Sequence, residues 1–466
     1  MAPVDVEKLY SEKFVELKPA LKREEAVVEA ERCLYCYDAP CVTACPTHID
    51  IPRFIKQIAS GNLTGSGKTI LEANALGHSC ARACPVEVLC EGACVFHDWQ
   101  EKPIEIARLQ RAATDHLLED GNKQPFKPGR DLHKSVAVVG AGPAGLACAA
   151  YLRRLGFAVT IFDRDKTAGG LNTFGIAEYK MTSKVSLDEV ERILKLGVAF
   201  KLGVEIKDAR ALADFDAVFL AIGLGETNAL RVPGEDLPGV WDALSFIRLV
   251  KQRKPKDLGK SACTVVIGAG NTSIDAVTQS KRTGTPRVIM AYRKGEAEMK
   301  AYGFEYALAK QDGAEFLWNA QPVRIVGKKA VEGVEFMRTD GSGGLFTVAC
   351  DRVIKAIGQR KQVGLAKALG LRLEDDGRIA VERETLRTSD RRVFAGGDAV
   401  NGGKEVVNAA ADGKRAAYGI WKALFPGQPL PAGNEYWART IENQRVAPVV
   451  NPAEKKPLDK KAKAHA

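Results

Sequence analysis

Eight of the eleven cysteines in this 466-residue chain lie within its first hundred residues. The stretch RCLYCYDAPCVTACPTHIDIP holds Cys33, Cys36, Cys41 and Cys45, and CARACPVEVLCEGAC holds Cys80, Cys84, Cys90 and Cys94. Thiols this dense cross-link, bind metal or carry electrons. Disulfides suit an oxidising compartment. The start, MAPVDVEKLYSEKF, has no apolar run of signal-peptide length, so we expect a reducing, cytoplasmic setting. Zinc commonly takes paired CxxC knuckles and closes as a tetrahedron. Only Cys33 and Cys36 form a CxxC here; the other intervals are four and three residues, then three, five and three. The run C-x2-C-x4-C-x3-C-P is closer to the spacing of iron–sulfur ligation, where the proline-flanked fourth cysteine serves a second cluster. Cys45-Pro46 and Cys84-Pro85 both carry that proline. Iron–sulfur is the favoured reading and zinc the alternative. Cys148, Cys263 and Cys350 are isolated and read as core residues.

Two further segments could do chemistry. KSVAVVGAGPAGLACAAYLRRLG and ACTVVIGAGNTSIDAVTQSKRTG each read as a β-branched strand, a glycine-rich turn and a helix, about 130 residues apart. In the first, Gly140 permits the tight turn, Gly142 lets backbone approach a pyrophosphate, and Gly145 lets the helix pack on the strand. Pro143 and Ala144 open that helix, whose N-terminus faces phosphate. The next strand, AVTIFD, ends in Asp163, where an acid binds a ribose diol. In the second, Gly268, Gly270, Asn271 and Thr272 take the same positions, and Ser273 replaces the third glycine. That replacement is expected to loosen helix–strand packing. The following strand, RVIMAY, ends in Arg293-Lys294 instead of an acid, which suits a 2′-phosphate. Two such units predict two dinucleotide cofactors.

The elements that must position these residues follow from the pattern. A chain of 466 residues supports two to four domains. The cysteine-rich part is helical, with a helix near IEIARLQRAATDHLLED that stops at Gly121, followed by the linker KQPFKPGRD. Strands and helices then alternate to about residue 430, as in open parallel sheets. The net charge of +10 comes partly from the tail EKKPLDKKAKAHA, which reads as disordered. No aromatic-interleaved basic motif and no membrane-length apolar run occurs, so neither nucleic acid nor membrane is expected as a partner.

The segments Gly169-Gly170-Leu171 and TSDRRVFAGGDAVNGGKEVVNAAADGKRAA resemble two-dinucleotide flavoprotein reductases of the thioredoxin reductase and glutamate synthase type. The resemblance implies FAD at the first glycine turn, with Asp398 of Gly396-Gly397-Asp398 at the ribityl–phosphate and the following helix start, Val406, facing the flavin. Lys180 joins Gly170, Leu171 and Gly397 in that expected set. DAVFLAIG and DRVIKAIG resemble the crossings between the two domains of such reductases, which adds Ala356 and Gly358. They imply an NAD(P)-binding domain at 229–359 inserted into an FAD-binding domain at 131–228 and 360–430. A helical cluster domain at 1–130 and an extension at 431–466 complete an α/β chain. No redox CxxC or CxxxxC stands beside these motifs, so electrons must leave FAD by another route.

From Cys33 to Leu118 the chain is similar to the N-terminal cluster domain of dihydropyrimidine dehydrogenase, through CLYCYDAPCVTACPTHIDI, LGHSCARACPVEVLCEGAC and the downstream LQ. The resemblance covers about residues 25 to 425. It implies one 4Fe–4S cluster on Cys33, Cys36, Cys41 and Cys94, and another on Cys45, Cys84, Cys90 and Gln110. Spacing alone nominates Cys80 in place of Gln110. The chain resembles the separate flavin subunit of the bacterial two-subunit enzyme. NAD(P)H would reduce FAD, and electrons would pass singly through two clusters to an FMN and iron–sulfur partner, in a heterotetramer, that reduces uracil or thymine to the 5,6-dihydropyrimidine. The catalytic acid would lie in that partner. Lys300 falls where the family has a further contact to the 2′-phosphate, while the bacterial form is NADH-dependent, so the donor stays open as NAD(P)H. Glutamate synthase small subunits share the plan but read CGxPFC where this chain reads YDAPC. A small subunit of that enzyme is the alternative, and a non-catalytic electron-transfer or assembly subunit is a second.

Overall fold

The structure is a computed structural model that describes residues 5–254 and 256–446. It divides into two compact units. The larger comprises Lys18–Gly169, Val185–Gly223 and the residues from Val363 onward; the smaller comprises the residues up to Leu17, Gly170–Lys184 and Leu224–Gln362.

The larger unit is built on a five-stranded sheet in the order Val393–Ala395, Ala217–Leu220, Ser135–Val139, Ala158–Asp163 and Ala199–Leu202. Every pair is parallel. The central strand is apolar along almost its whole length and buried, as a sheet covered on both faces requires. The helices Pro143–Leu155 and Val406–Leu424 cross tightly: a Cβ on Gly413 would lie 2.2 Å from the carbonyl oxygen of Ala144. Cys148 is fully buried here, as expected of a core residue.

The cysteine-rich helices belong to the same unit. The apolar positions Ile51, Phe54, Ile55 and Ile58 recur at helical spacing and are all buried. Asp50 caps that helix by accepting from Arg53 N at 3.2 Å. The helix Gly77–Ala83 has no cap of its own. Glu189, from the helix Ser183–Leu194, accepts from His78 N (2.9 Å) and Ser79 N (3.0 Å) and closes its N-terminus. Val407 packs into one core with Cys45, Cys84 and Cys90. The expected helical part at 1–130 is helical, and from Lys18 onward it packs in the same compact unit as the first parallel sheet. Its cysteine-bearing part is continuous with the sheet unit, because the two share buried side chains.

The smaller unit has its own parallel sheet, ordered Val240–Asp242, Arg352–Lys355, Cys263–Ile267, Arg287–Ala291 and Glu315–Leu317. Three antiparallel strands, Ala320–Val326, Gly333–Arg338 and Leu345–Ala349, pack Val334 and Phe336 against Val265 and Ile267. Leu224–Thr227 pairs antiparallel with Gln359–Lys361, at the two ends of the stretch Leu224–Gln362 of this unit. The helix Val6–Lys13 also lies here, although the sequence placed it with the cysteines. Tyr10 and Phe14 are four residues apart, stack at 4.6 Å and bury with Phe246 and Val250. A short N-terminal amphipathic piece carries no signal for which core receives it.

Residues 435–446 of the expected C-terminal extension form a helix, with Trp437 fully buried at 5.0 Å from Tyr151. The lysine-rich tail lies outside the described residues. No helix among the described residues is long and apolar enough to cross a membrane.

Candidate dinucleotide and cysteine sites

In the larger unit the first glycine turn sits at the carboxyl end of Ser135–Val139, between that strand and Ala217–Leu220, where the strand order reverses. Gly140 has φ +111°, and a Cβ there would lie 2.2 Å from Ala221 O. A Cβ on Gly145 would lie 1.9 Å from Gly140 O. These two glycines are demanded by the fold. Gly142 is not: it is extended (φ −78°, ψ −177°), and a Cβ on it would meet nothing within 4 Å. Open space over a glycine at a helix N-terminus is the shape of a phosphate cradle. Asp163 accepts from Ala141 N (2.6 Å) and Asp165 N (2.8 Å), so its carboxylate is fixed beside the turn. Gly397 closes on the same helix start, where a Cβ would lie 3.0 Å from Ala144 Cβ, and its N–H donates to Asp412 at 3.0 Å. Asp412, which the sequence reading missed, is half-buried, and desolvation raises its pKa. Asp398 accepts from Lys404 N at 3.1 Å, just ahead of Val406. The structure thus brings together Gly140 to Gly145, Asp163 and Gly397.

Gly170, Leu171 and Lys180 fall in the smaller unit. Gly170 has φ +54° and precedes the helical turn Leu171–Phe174. Asn172 within that turn is buried, and both its Nδ2 and Oδ1 lack hydrogen-bond partners. Nothing in the sequence signalled it beyond its place after Gly170. Lys180 is ion-paired with Asp275 (2.8 Å) and Glu305 (2.6 Å). Burial opposes its charge, yet Asp275, Tyr179 and Glu305 hold its pKa well above the usual lysine value.

The second glycine turn repeats the first. Gly268 has φ +132°, and a Cβ would lie 2.3 Å from Ala356 O; Gly270 is extended (φ −101°, ψ 177°) with open space above it. Ser273 does not loosen the packing as expected. It is fully buried, donates to Ala356 O and accepts from Gly270 N, each at 3.3 Å. Asn271 accepts from Tyr302 N at 3.0 Å, and Thr272 is exposed beside it. Lys300 N donates to Ala269 O at 3.0 Å, which ties the segment carrying Lys300 to the turn. Arg293, Lys294 and Lys300 are all exposed, and Lys294 pairs with Glu298 at 2.8 Å. Gly358 has φ +86° just beyond Ala356.

The cysteines separate into two groups. Cys33, Cys36, Cys41 and Cys94 line one pocket, with Ile55 and Phe96 among its apolar walls. Burial pushes Cys41 up to about 12, aided by the charges of Cys33, Cys94 and Cys36. Cys45, Cys84 and Cys90 form the second group, all buried. Burial raises Cys90, and Cys45 and Cys84 add to it. Cys84 is raised first by a hydrogen bond with Cys80 and then by burial. Gln110 is buried and donates to Gly77 O at 2.6 Å, on the helix that carries Cys80 and Cys84 toward the group. Of the two candidates for the eighth ligand, Cys80 is hydrogen-bonded to Cys84, and Gln110 is bonded to the first residue of the helix that carries Cys80. All eleven cysteines are free thiols. Among the described residues no three His, Cys, Asp or Glu side chains converge as a single ion requires; the sulfurs of the first group surround a pocket instead. Closely grouped, buried or half-buried cysteines, whose thiolates would repel one another, fit a cationic iron–sulfur body, which would supply the missing charge.

Comparison with known proteins places the chain. Residues 10–122 match the family described as dihydropyrimidine dehydrogenase domain II, 4Fe–4S cluster, and residues 134–413 match the pyridine nucleotide-disulphide oxidoreductase family. The chain is 33% identical over 440 residues to a glutamate synthase (NADPH) small chain of Halomonas elongata, covering 88% of this chain and 93% of that one. It is 35% identical over 414 residues to the NAD-dependent dihydropyrimidine dehydrogenase subunit PreT of Escherichia coli O157:H7, covering 87% and 96%. The thioredoxin reductase of T. acidophilum shares the fold, with a TM-score of 0.52 at 24% identity over 62% of this chain and 98% of that chain.

The open space at Gly142 and Gly270 makes a prediction. Gly142→Ala and Gly270→Ala should each fold with a Tm within a few degrees of the parent, because neither Cβ meets protein. The first should lose bound flavin and the second should weaken nicotinamide binding at least tenfold. A large drop in Tm with nucleotide affinity preserved would mean the space serves the fold and not a ligand.

Proposed function

Because the chain belongs to the pyridine nucleotide-disulphide oxidoreductase family, with a 4Fe–4S domain ahead of it, we propose that it takes a hydride from NAD(P)H and delivers single electrons to a partner subunit. As a family member it is an NAD(P)-linked flavoprotein oxidoreductase of the iron–sulfur electron-transfer class. The observation that carries the proposal is the placement of both cysteine groups in one packed unit with the first glycine turn.

The chain's residues divide the work. Gly140 to Gly145 and the helix N-terminus at Pro143 hold the FAD pyrophosphate, Asp163 takes a ribose, and Gly397, Asp398 and Val406 hold the remainder. Gly268, Gly270, Asn271 and Thr272 hold the nicotinamide dinucleotide, with Ala356 and Gly358 at its edge. Cys33, Cys36, Cys41 and Cys94 hold one 4Fe–4S cluster. Cys45, Cys84, Cys90 and Gln110 hold another. Bound flavin would supply the change from two-electron to one-electron chemistry, and the clusters would supply single-electron conduction. No proton donor toward a substrate is needed in this chain if the acceptor binds elsewhere.

For the partner reaction we favour reduction of uracil or thymine to the 5,6-dihydropyrimidine by an FMN and iron–sulfur subunit. Support comes from YDAPC and CPTHIDI in the cysteine segment and from the dihydropyrimidine dehydrogenase family match over it. The glutamate synthase small chains, 33% identical over most of their length, favour a second reading in which a glutamine-using subunit receives the electrons.

Three measurements test these assignments. Gln110→Ala should lower the iron content from about eight per chain toward four, while Cys80→Ala should leave it unchanged. The reverse result would make Cys80 the ligand. The double variant Arg293→Ala, Lys294→Ala should raise KM for NADPH about tenfold or more and spare NADH. Equal changes for both donors would remove these residues from 2′-phosphate binding. Tagged chain drawn anaerobically from its native extract should oxidise NAD(P)H in response to uracil, with an FMN protein alongside. Response to glutamine plus 2-oxoglutarate instead would move it to glutamate synthesis.

A further inference from the structure

Lys414 has no place in the functional assignments above, and its surroundings are unusual. It lies in the middle of the Val406–Leu424 helix and is 0% exposed. Its Nζ meets three acceptors: Thr47 O at 2.7 Å, Ala73 O at 2.9 Å and Thr440 Oγ1 at 2.8 Å. Thr440 already gives its hydroxyl proton to Trp437 O at 2.7 Å, so toward Lys414 it can only accept. A neutral amine has two N–H donors; three acceptors require three, which only the ammonium provides. The hydrogen bonding therefore assigns a buried positive charge. Among the described residues no carboxylate stands within ion-pair distance of it.

An ammonium taken from water without a counter-ion is strongly disfavoured. Burial, with smaller contributions from Arg415 and Arg154, accordingly draws Lys414 down to about 7. The group that acts the other way is Cys45. The connection is short. Thr47, whose carbonyl receives the ammonium, shares a 3.3 Å hydrogen bond between its own Oγ1 and Cys45 Sγ, and His48 N donates to Cys45 O at 2.8 Å. The segment Cys45-Pro46-Thr47 thus places Cys45 at one end and the Lys414 acceptor at the other.

We propose that Lys414 is a positioning and charge-compensating residue for the iron–sulfur cluster on Cys45, Cys84 and Cys90, which it makes easier to reduce. This rests on the reading that those three cysteines hold a cluster. With three thiolates and a neutral fourth ligand, an oxidised 4Fe–4S centre carries one net negative charge and the reduced centre two. One electron, originating in NAD(P)H, enters. No covalent bond forms or breaks, and no proton need follow, since the compensating charge is already in place. In a low-dielectric interior that fixed charge favours the more negative, reduced state. The same side chain ties the cysteine segment to the helix whose start the flavin reading uses, so cluster and flavin are held in one body.

The test is an EPR-monitored anaerobic redox titration of the full-length holoprotein and its Lys414→Met variant, a substitution of similar length without charge. Iron and sulfide are counted first. About four irons per chain in the parent would sink the two-cluster reading itself. With about eight, we expect one cluster potential to fall by at least a tenfold change in the reduction equilibrium, about 59 mV for one electron. The other cluster should not move. Both potentials unchanged with iron retained would reduce Lys414 to a packing residue and overturn the proposal. Should Lys414→Met lose a cluster outright, Lys414→Gln and Lys414→Arg decide. Retention by arginine alone supports a requirement for charge, and equal loss from all three variants overturns it.

Discussion

The close crossing of the helices Pro143–Leu155 and Val406–Leu424 is the constraint on which most of this chain depends. It is possible because residue 413 has no side chain: a Cβ there would sit 2.2 Å from Ala144 O. Backbones that approach so closely leave little room for sliding, so each helix fixes the register of the other. From this one contact three placements follow. Gly397, just ahead of the second helix, is brought onto the first helix's start. Val407 enters the core that contains Cys45, Cys84 and Cys90. Lys414, the residue after the contact glycine, reaches Thr47 and Ala73. A single glycine contact therefore sets the geometry of the first nucleotide turn against the cysteine core.

The two nucleotide turns obey one rule with two solutions. In each, the first glycine is forced by a carbonyl from the neighbouring strand's end, Ala221 O for Gly140 and Ala356 O for Gly268. Both carbonyls belong to an Ala-Ile-Gly sequence, so the repeated AIG and the repeated GAG are parts of the same device. The solutions part at the third position. Gly145 answers the crowding by having no side chain, because its Cβ would lie 1.9 Å from Gly140 O. Ser273 answers it by bonding, with one hydroxyl serving both Ala356 O and Gly270 N. A serine that satisfies two backbone groups holds its turn as firmly as a missing side chain does.

How much of this was legible in the sequence depends on the range of the interaction. Strands such as AVTIFD and CTVVI, with glycine turns behind them, declare themselves within a few residues, and the structure reproduces Ala158–Asp163 and Cys263–Ile267 at those positions. The grouping of Cys33, Cys36 and Cys41 with the distant Cys94 came from family resemblance, since spacing gives no reason to skip Cys45. The long-range polar contacts had no signal at all. Glu189 capping His78 and Ser79, Lys180 between Asp275 and Glu305, and Lys414 on Thr47 each join residues about a hundred or more apart. Such residues read as solvated helix faces until the partner is known. The first helix failed for the same reason: Tyr10 and Phe14 announce burial without saying against what.

The division into units bears on how electrons could travel. The first nucleotide turn and both cysteine groups lie in one unit, joined by Val407, Glu189 and Lys414, while the second turn belongs to the other unit. Single-electron passage needs fixed distances and a dry interior, but no transfer of atoms. Here that interior is supplied by a core of isoleucine, valine and alanine around Cys45, Cys84 and Cys90. Hydride transfer needs contact between two bound rings, and it is carried by groups that can bind and leave. The chain has thus placed everything that must stay still in one packed body. Its cost is charge: eight buried or half-buried thiols and one ammonium share an interior with few carboxylates near them. Each is unfavourable there alone, and the arrangement becomes reasonable when a metal cluster completes the balance. By this argument the cysteine core is a structure in deficit of positive charge around its sulfurs. Lys414 is the part of that charge the polypeptide provides for itself.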